Sequence, residues 1–411
     1  MTTNVASLAE ARRLDTAGPF AQTRHRFDLP EGVIYLDGNS LGPLPKATKA
    51  VVENIVQQQW GHDLIRSWND NDWIRSPQRA GDKIAKLVGA KDGEVIVADS
   101  VSVNIFKLLT ALCRRQPERT HILSEAGNFP TDVHVAQGAA DVRKLDLQLF
   151  PREEILSQLS HKTAALLLTH VHYKTAAKYD MAVVNKVAAQ FGVPVLWDLS
   201  HSAGAVPLHV SDDGTQYAVG CGYKYLNGGP GAPAFVYVAA ELQETCASPL
   251  QGWMGHAAPF AFEDHYRPAG GMDRFLIGTP PILSLLALES AVDEFMDVDL
   301  QEVWKKSCVM FEFFVSAMNQ HCPQMQLITP HGSDSRGSHI SFSHPNAWPI
   351  NNALIARNVI GDFRAPDILR FGLTPLYTRF EDLWDAVKIL AKILMTEEWR
   401  DPKFDRQAAV T

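Results

Sequence analysis

The chain alternates short runs of apolar residues with longer segments in which apolar positions recur every three or four residues. Short continuous apolar runs are typical of strands buried on both faces, and the longer spacing is typical of helices. The alternation of the two predicts an α/β fold with a mainly parallel sheet covered by helices. The predicted strands span residues 33–36, 94–98, 122–124, 164–168, 193–197, 217–222, 234–238 and 339–342.

The pattern also predicts a division into domains. From residue 282 onward it is strongly helical, with one short alternating stretch at 339–342. We therefore predict a large domain at 61–290 and a smaller α+β domain at 291–411, with residues 1–60 forming an N-terminal arm and part of the small domain.

Composition and charge exclude several classes of partner. The net charge of −8 and the pI near 6.0 argue against nucleic-acid or anionic-membrane binding. No apolar run approaches the roughly 18 residues of a membrane helix, and the first residues lack the apolar core of a signal peptide. The five scattered cysteines form no C-x-x-C pair, which fits a reducing compartment. We expect a cytoplasmic protein.

The residues best suited to catalysis or ligand binding follow two predicted strands that are neighbours in the sequence. Asp198 ends one strand and His201 follows it, whereas Tyr223 and Lys224 follow the next strand and precede a glycine-rich turn. Ligands of open α/β sheets bind beyond the carboxyl ends of the strands. A lysine desolvated by aromatic neighbours can form an imine, and a carboxylate can pair with a pyridinium nitrogen. Either residue alone is more often a cap or a surface charge, but together they indicate a pyridoxal phosphate (PLP) site.

Two segments carry a resemblance to a known family. V-L-W-D-L-S-H-S-A-G at 195–204 and G-Y-K-Y-L-N-G-G-P-G at 222–231 resemble the corresponding segments of kynureninases, and the resemblance extends from Gly38 to Tyr377. It implies PLP fold type I, that of aspartate aminotransferase, and a homodimer with shared active sites. It also implies hydrolysis of the amino acid L-kynurenine, and possibly of 3-hydroxy-L-kynurenine, to anthranilate or 3-hydroxyanthranilate and L-alanine, in tryptophan degradation and NAD biosynthesis.

The resemblance implies roles for the central residues. Lys224 forms the Schiff base with PLP and transfers the substrate proton, and Asp198 keeps the ring nitrogen protonated. Tyr223 binds the phosphate and assists proton transfer, while His201 orients the ring.

Further cofactor contacts are implied at strand and helix ends. The polar turn before the helix that begins near residue 101 predicts an anion site, because free N–H groups and the helix dipole favour phosphate. By resemblance, Val101 and Ser102 hold this phosphate. The resemblance also implies that the other cofactor contacts are Phe129 stacked on the ring, Asp132 nearby, Thr175 near the ring, and Trp253 and Thr279 at the phosphate or substrate.

The substrate contacts are implied in the same way. An arginine fork suits an α-carboxylate, and both Arg364 and Arg370 are candidates, although either could instead pair with a neighbouring aspartate. The R-F-G motif favours Arg370. Trp68 is implied to lie under the aryl ring, and Asn39 and Ser40 of G-N-S-L-G-P are implied to border the active site.

Other interpretations of single motifs remain open. G-N-S-L-G matches the nucleophile elbow of serine hydrolases, with Ser40 as nucleophile, but Pro43 and Pro45 disfavour the helix that must follow. His170 and His172 could share one face of a strand, but two histidines are weak grounds for a metal site, and we predict none.

Enzymes of the same fold provide further alternatives. A cysteine desulfurase would need a reactive cysteine on a loop, and an aminotransferase would share the aspartate and the lysine. A non-catalytic PLP-binding protein would bind the cofactor without turnover. Within the kynureninase interpretation, Trp68 and Thr279 favour unsubstituted kynurenine.

Overall fold

A computed structural model of the protein describes residues 6–406. The helices are α1 (Leu8–Ala17), α2 (Lys46–Asn54), α3 (Ser67–Asp70), α4 (Ser76–Val88), α5 (Val101–Arg114), α6 (Pro130–Arg143), α7 (Met181–Gln190), α8 (Ala240–Gln243), α9 (Ile282–Asp293), α10 (Leu300–His321), α11 (Ala347–Ile355) and α12 (Phe380–Thr396). The strands are β1 (Ile34–Tyr35), β2 (Val95–Val97), β3 (His121–Glu125), β4 (Asp146–Phe150), β5 (Thr163–Thr169), β6 (Val195–Asp198), β7 (Tyr217–Cys221), β8 (Ala234–Val238), β9 (Gln326–Leu327), β10 (His339–Ser343), β11 (Val359–Ile360), β12 (Asp362–Arg364) and β13 (Ile368–Gly372). A π-helical segment, Ile55–Asp63, continues α2.

The chain forms two compact units. The large unit contains residues 47–173 and 179–297, and the small unit contains the residues up to 46, the segment 174–178 and the residues from 298 onward. These limits differ from the predicted boundaries after residues 60 and 290. A boundary at 290 would fall inside α9, whereas the observed one follows the end of that helix.

The large unit is built on one mainly parallel sheet. Its strand order is β2-β8-β7-β6-β5-β3-β4, with β8 antiparallel to both of its neighbours. Strands β7, β6, β5, β3 and β4 run parallel, so their carboxyl ends lie along the same edge. Thr169 at the end of β5 is in register with Asp198 at the end of β6. This register brings polar side chains from separate strands together at one edge.

Burial explains why this sheet forms. Every residue of β5 and β6 is buried, as expected for strands covered by helices on both faces. Helix α5 buries Ile105, Leu108, Leu109 and Leu112 in the same core as the sheet. The sheet edge is therefore a rigid base for the side chains that project beyond it.

The small unit has an antiparallel sheet and its own apolar core. The sheet order is β12-β13-β10-β9, and β1 pairs separately with β11. Helices α10 and α12 contribute to a core in which the ring of Phe314 contacts those of Phe342 and Phe371. The predicted strand at 339–342 is confirmed as part of β10.

The antiparallel register of the small unit also fixes a charged pair. Asp362 of β12 lies opposite Arg370 of β13. Among residues 6–406, no helix combines the length and apolar character that crossing a membrane requires.

Candidate active site

A tight glycine turn positions Lys224 directly after β7. The N–H of Gly228 donates to the carbonyl of Gly222 over 2.9 Å. A Cβ atom on Gly222 would lie 2.5 Å from the Pro233 carbonyl oxygen, and one on Gly228 would lie 2.7 Å from that of Gly222. Only glycine therefore permits this turn, which holds Lys224 half-buried at the end of the strand.

The amine of Lys224 lies among residues predicted from separate motifs. Its Nζ is 3.1 Å from Nε2 of His201, 5.6 Å from the ring centre of Phe129 and 5.8 Å from that of Tyr223. His201 is buried and Phe129 is partly buried. An amine, an imidazole and a flat aromatic face are thus assembled in one place.

Two buried carboxyl groups lie beside this amine. Asp198 is 4% exposed at the end of β6, and Asp132 is 1% exposed in the first turn of α6. Burial, and then the charge of Asp198, raise the pKa of Asp132 well above its ordinary value. Burial and the nearby Asp198 therefore favour the protonated form of Asp132, which can donate a hydrogen bond to Asp198.

Ser200 fixes the orientation of the Asp198 carboxylate. Its N–H and its hydroxyl both donate to Oδ1 of Asp198, over 2.8 and 2.5 Å. The Ser200 hydroxyl in turn accepts the N–H of Cys221 at the end of β7. Ser200 was not predicted as a site residue, although it lies inside the D-L-S-H motif.

Thr169 and Asn128 support the second carboxyl group. The Thr169 hydroxyl is 2.6 Å from Oδ1 of Asn128 and 3.2 Å from Oδ2 of Asp132. The same Asn128 oxygen accepts the N–H of Phe129 over 2.7 Å. Neither residue was predicted, but Thr169 occupies the carboxyl end of β5, which is a sequence signal for a site residue.

Tyr223 keeps its proton at neutral pH. Burial, followed by the neighbouring Cys221 and Asp198, raises the pKa of its phenol. Its hydroxyl is therefore a hydrogen-bond donor.

The first turn of α5 provides N–H groups for an anion. Val101 and Ser102 are its first two residues, and the Ser100 side chain caps the helix by accepting the N–H of Val103. The earliest N–H groups of a helix have no partner within the helix, which makes this turn suitable for phosphate.

The remaining predicted residues of the large unit lie on its partly exposed surface. Trp68 is half-buried and packs edge-on against Trp73, with ring centres 6.0 Å apart. Trp253 is 39% exposed and contacts Phe260 edge-on, and Thr279 is exposed. Their cofactor and substrate roles stay predictions.

The two histidines considered for a metal make other contacts. Nδ1 of His170 is 2.8 Å from the Ser202 hydroxyl, and Nε2 of His172 is 3.0 Å from the Gly127 carbonyl oxygen. Within residues 6–406, no group of three or more His, Cys, Asp or Glu side chains is arranged to hold a metal ion.

In the small unit, Arg370 belongs to a compact charged cluster. It is 1% exposed, and its Nε and Nη2 donate to the two oxygens of Asp362 over 2.9 and 2.5 Å. The Ser40 hydroxyl donates to Asp362 and accepts from Nη2 of Arg370 over 2.9 Å. Arg364 also pairs with Asp362, at 2.7 Å. Ser40 therefore contacts a carboxylate and guanidinium groups, which is an arrangement for binding rather than for activating a nucleophile.

Asn39 adds unsatisfied polar atoms to this cluster. Its side chain is fully buried, and neither its amide oxygen nor its amide nitrogen has a hydrogen-bond partner among the described residues. Buried polar groups are normally paired, so this amide is suited to contact a polar ligand. Thr175 also belongs to the small unit, where its hydroxyl accepts the N–H of Ala177 over 3.2 Å.

Comparison with known proteins identifies the family. The chain is 47% identical to the kynureninase of Burkholderia pseudomallei (strain K96243), with 98% of this chain and 99% of the relative covered. It is 45% identical to the kynureninase of Pseudomonas fluorescens over the full length of both. Residues 303–390 match the model of the kynureninase C-terminal domain. The chain belongs to the kynureninase family. The kynureninases are PLP-dependent enzymes that hydrolyse kynurenine to anthranilate and alanine, so the predicted family, cofactor and reaction are confirmed.

Solved structures of other enzymes share the fold. The cysteine desulfurase of Thermococcus onnurineus NA1 matches with a TM-score of 0.78 at 16% identity, covering 92% of this chain and 98% of that one. The cysteine desulfurase CsdA of Escherichia coli matches with a TM-score of 0.77 at 18% identity, with the same coverage. At these identities the likeness concerns the fold, and the predicted PLP fold type I is confirmed.

The residues of the large unit fit PLP. A buried carboxylate such as that of Asp198 needs a positive charge beside it, which a protonated ring nitrogen would supply. Phe129 offers a flat face, and the start of α5 offers N–H groups for the phosphate. Lys224 offers an amine of the kind that can bond to the cofactor aldehyde.

Proposed function

We propose that Lys224, Asp198 and Tyr223 are the catalytic residues with which this kynureninase-family enzyme hydrolyses L-kynurenine to anthranilate and L-alanine. The proposal rests mainly on one observation: the Lys224 amine lies 3.1 Å from His201 and near the ring of Phe129, beside the buried Asp132–Asp198 pair.

PLP would be held at several points. Lys224 would anchor it covalently, Asp198 would pair with the ring nitrogen and Phe129 would stack on the ring. His201 and Asp132 would help to orient the ring. The phosphate contacts are assigned to Val101, Ser102, Tyr223, Trp253 and Thr279, and Thr175 is assigned a hydrogen bond near the ring.

The protein residues handle protons and orientation. PLP, when bound, supplies the electron sink that stabilises negative charge at the substrate carbons. The Nζ atom of Lys224 takes the proton from the substrate Cα, and its contact with His201 fixes where the amine points. Asp198 keeps its orientation through the two hydrogen bonds from Ser200. The Tyr223 hydroxyl, protonated at neutral pH, donates a hydrogen bond to the phosphate.

The substrate contacts are assigned as the family resemblance implies. We assign the α-carboxylate to Arg370, which Asp362 and Ser40 hold in one orientation, and a polar contact to the Asn39 amide. Trp68 is assigned to the aryl ring. The apolar indole of Trp68 favours unsubstituted kynurenine over the 3-hydroxy form.

Two further parts of the proposal concern assembly and location. We propose a homodimer in which Trp253 and Thr279 reach the partner's active site, which agrees with their exposure on a single chain. We propose a cytoplasmic location because the five cysteines are all free thiols.

Because cysteine desulfurases share this fold, the reactivity of the thiols distinguishes desulfuration from hydrolysis of kynurenine. A desulfurase needs a reactive thiolate on an accessible loop. In this chain, burial raises the pKa of every cysteine, namely Cys113, Cys221, Cys246, Cys308 and Cys322. The thiols therefore favour hydrolysis of kynurenine over desulfuration.

The visible spectrum of the purified enzyme, recorded with anthranilate fluorescence in one cuvette, tests the proposal. We expect a band near 420 nm from the lysine-bound cofactor, and growing anthranilate emission when L-kynurenine is added. Lys224→Ala should lose both, whereas the exposed-lysine control Lys86→Ala should keep both. The band without anthranilate would contradict the substrate, and a wild-type protein with no band after PLP addition would contradict the whole proposal.

A further inference from the structure

Lys107 is a charged residue buried inside the large unit. Its side chain is 0% exposed, and the residues that follow it on α5, Leu108 and Leu109, are buried as well. Its Nζ forms an ion pair with Oδ2 of Asp99 at 2.7 Å and donates to the Phe275 carbonyl oxygen, also over 2.7 Å. Burial lowers the pKa of Lys107, and the charge of Asp99 opposes that shift.

Stability alone gives no reason for this arrangement. Replacing a buried ion pair by apolar residues of similar size is often neutral or stabilising. The neighbouring positions Leu108 and Leu109 show that this part of α5 accommodates apolar side chains. The presence of a buried ammonium group at Lys107 is therefore better explained by its contacts, which hold two separate segments of the chain together.

The first segment leads into the proposed phosphate site. Asp99 follows β2 and adopts a left-handed backbone with φ +49°, which is uncommon for a residue with a side chain. The next residue, Ser100, is the N-cap of α5 and precedes Val101 and Ser102. By holding the Asp99 carboxylate, Lys107 fixes the turn that aims the first N–H groups of the helix.

The second segment leads to the other proposed phosphate contacts. Phe275 ends a short helical turn, Gly271–Phe275, four residues before Thr279. Two residues beyond Phe275, the Ile277 carbonyl accepts the N–H of Met254, which adjoins Trp253. The Phe275 carbonyl is thus an anchor for the segments that carry Trp253 and Thr279.

We propose that Lys107 is a positioning residue for binding of the PLP phosphate: its buried ammonium ties the turn before α5 to the segment that leads to Thr279. The proposal rests on the phosphate contacts given under the proposed function. It assigns Lys107 no contact with the cofactor itself, so its effect is on the phosphate and not on the ring.

Comparison of PLP with pyridoxal, which lacks the phosphate, tests this role. Apo wild-type enzyme and Lys107→Met are titrated with each ligand, following tryptophan fluorescence and the band near 420 nm. We expect the Kd for PLP to rise about 30-fold in the variant, because charge-assisted contacts that orient the phosphate donors are lost. The Kd for pyridoxal should rise by less than about threefold.

Two further variants provide a control and a second test of the Lys107–Asp99 ion pair. Lys86→Met removes an exposed lysine of α4 and should bind both ligands as the wild type does. Asp99→Asn keeps the shape of the ion-pair partner and should show the same selective loss of PLP affinity, and it replaces Lys107→Met if that variant does not fold. Equal weakening of both ligands, or unchanged PLP affinity, would overturn the role of Lys107.

The outcome is separable from the proposed reaction. A wild-type enzyme that binds PLP but releases no anthranilate would contradict the reaction and leave the comparison of the two ligands intact. A wild-type enzyme that binds no PLP would overturn both.

Discussion

The protein contains two buried clusters of ionisable side chains, and they differ in how acidic and basic groups are combined. In the large unit, Asp132 and Asp198 lie close together beside Lys224, so two acidic groups are neighbours. In the small unit, Asp362 faces Arg370 and Arg364, so one carboxylate is surrounded by opposite charge. Both clusters lie at strand ends or in a strand pair, yet their electrostatics differ.

The pKa shifts show what the difference means. Burial and the charge of Asp198 raise the pKa of Asp132. Burial alone would raise the pKa of Asp362 as well, but the charge and hydrogen bonds of Arg370 hold it below its ordinary value. The first cluster would be completed by a positively charged ligand atom, whereas the second, with two guanidinium groups around one carboxylate, has positive charge left for an anionic ligand group. Substitutions in the first should therefore act on the cofactor, and those in the second on the substrate.

The largest expected effect separates the two acids of the first cluster. Asp198→Asn should lower kcat/KM by on the order of 100- to 1,000-fold and weaken PLP binding, because it removes the negative charge opposite the ring nitrogen. Asp132→Asn should lower kcat/KM by less than about fivefold, because an amide reproduces a protonated carboxyl group that donates to Asp198 and accepts from Thr169.

Steady-state kinetics and a PLP titration of both variants check this order. Ser211→Ala, a substitution elsewhere in the large unit, is a suitable control for losses of activity during purification and for incomplete loading with PLP. Equal losses in the two aspartate variants would mean that both acids are ionised, and would contradict the shared proton.

The main sheet was largely predictable because its strands carry continuous apolar runs. Strand β8 was predicted with its observed limits, and β5, β6 and β7 to within about two residues, as is usual for element ends. Strand β4 was not predicted. It lies at the sheet edge, and Asp146 and Leu149 are exposed, so its sequence has no buried run to reveal it.

The candidate site was predictable where a motif is local. Asp198 and Lys224 each follow a strand within one short stretch, and the glycines after Lys224 mark the turn. Thr169 contacts Asp132 and Asn128 only because β5 lies beside β3 in a particular register, which the sequence does not state. His170 and His172 follow the same strand end, and their sequence pattern is also compatible with a metal site.

An intermediate effect is expected in the second cluster. Arg370→Ala should raise the KM for L-kynurenine by about 30- to 100-fold with a smaller change in kcat, because a carboxylate contact acts in ground and transition states alike. Arg364→Ala is the matched control, since it also removes a partner of Asp362 but leaves the more buried arginine. Its KM should change by less than about fivefold.

Initial rates over a range of kynurenine concentrations distinguish the two arginines. A large KM effect in Arg364→Ala and a small one in Arg370→Ala would reverse the assignment of the carboxylate. Loss of PLP binding in Arg370→Ala would contradict the separation between the clusters.

The smallest expected effect concerns Asp37, an acid at the margin of the second cluster. Burial, and then the charge of Asp362, raise its pKa to about 7. The folded state therefore keeps a proton that the unfolded state loses near pH 4, so stability falls as the pH rises from about 4 to about 7. Asp37→Asn cannot ionise and should remove this fall, raising the thermal midpoint by about 3 °C at pH 8 and by little at pH 4.5. Thermal unfolding of both proteins across this range is the measurement. The exposed Asp28→Asn is the control, and a gain that is equal at both pH values in Asp37→Asn would contradict the buried proton.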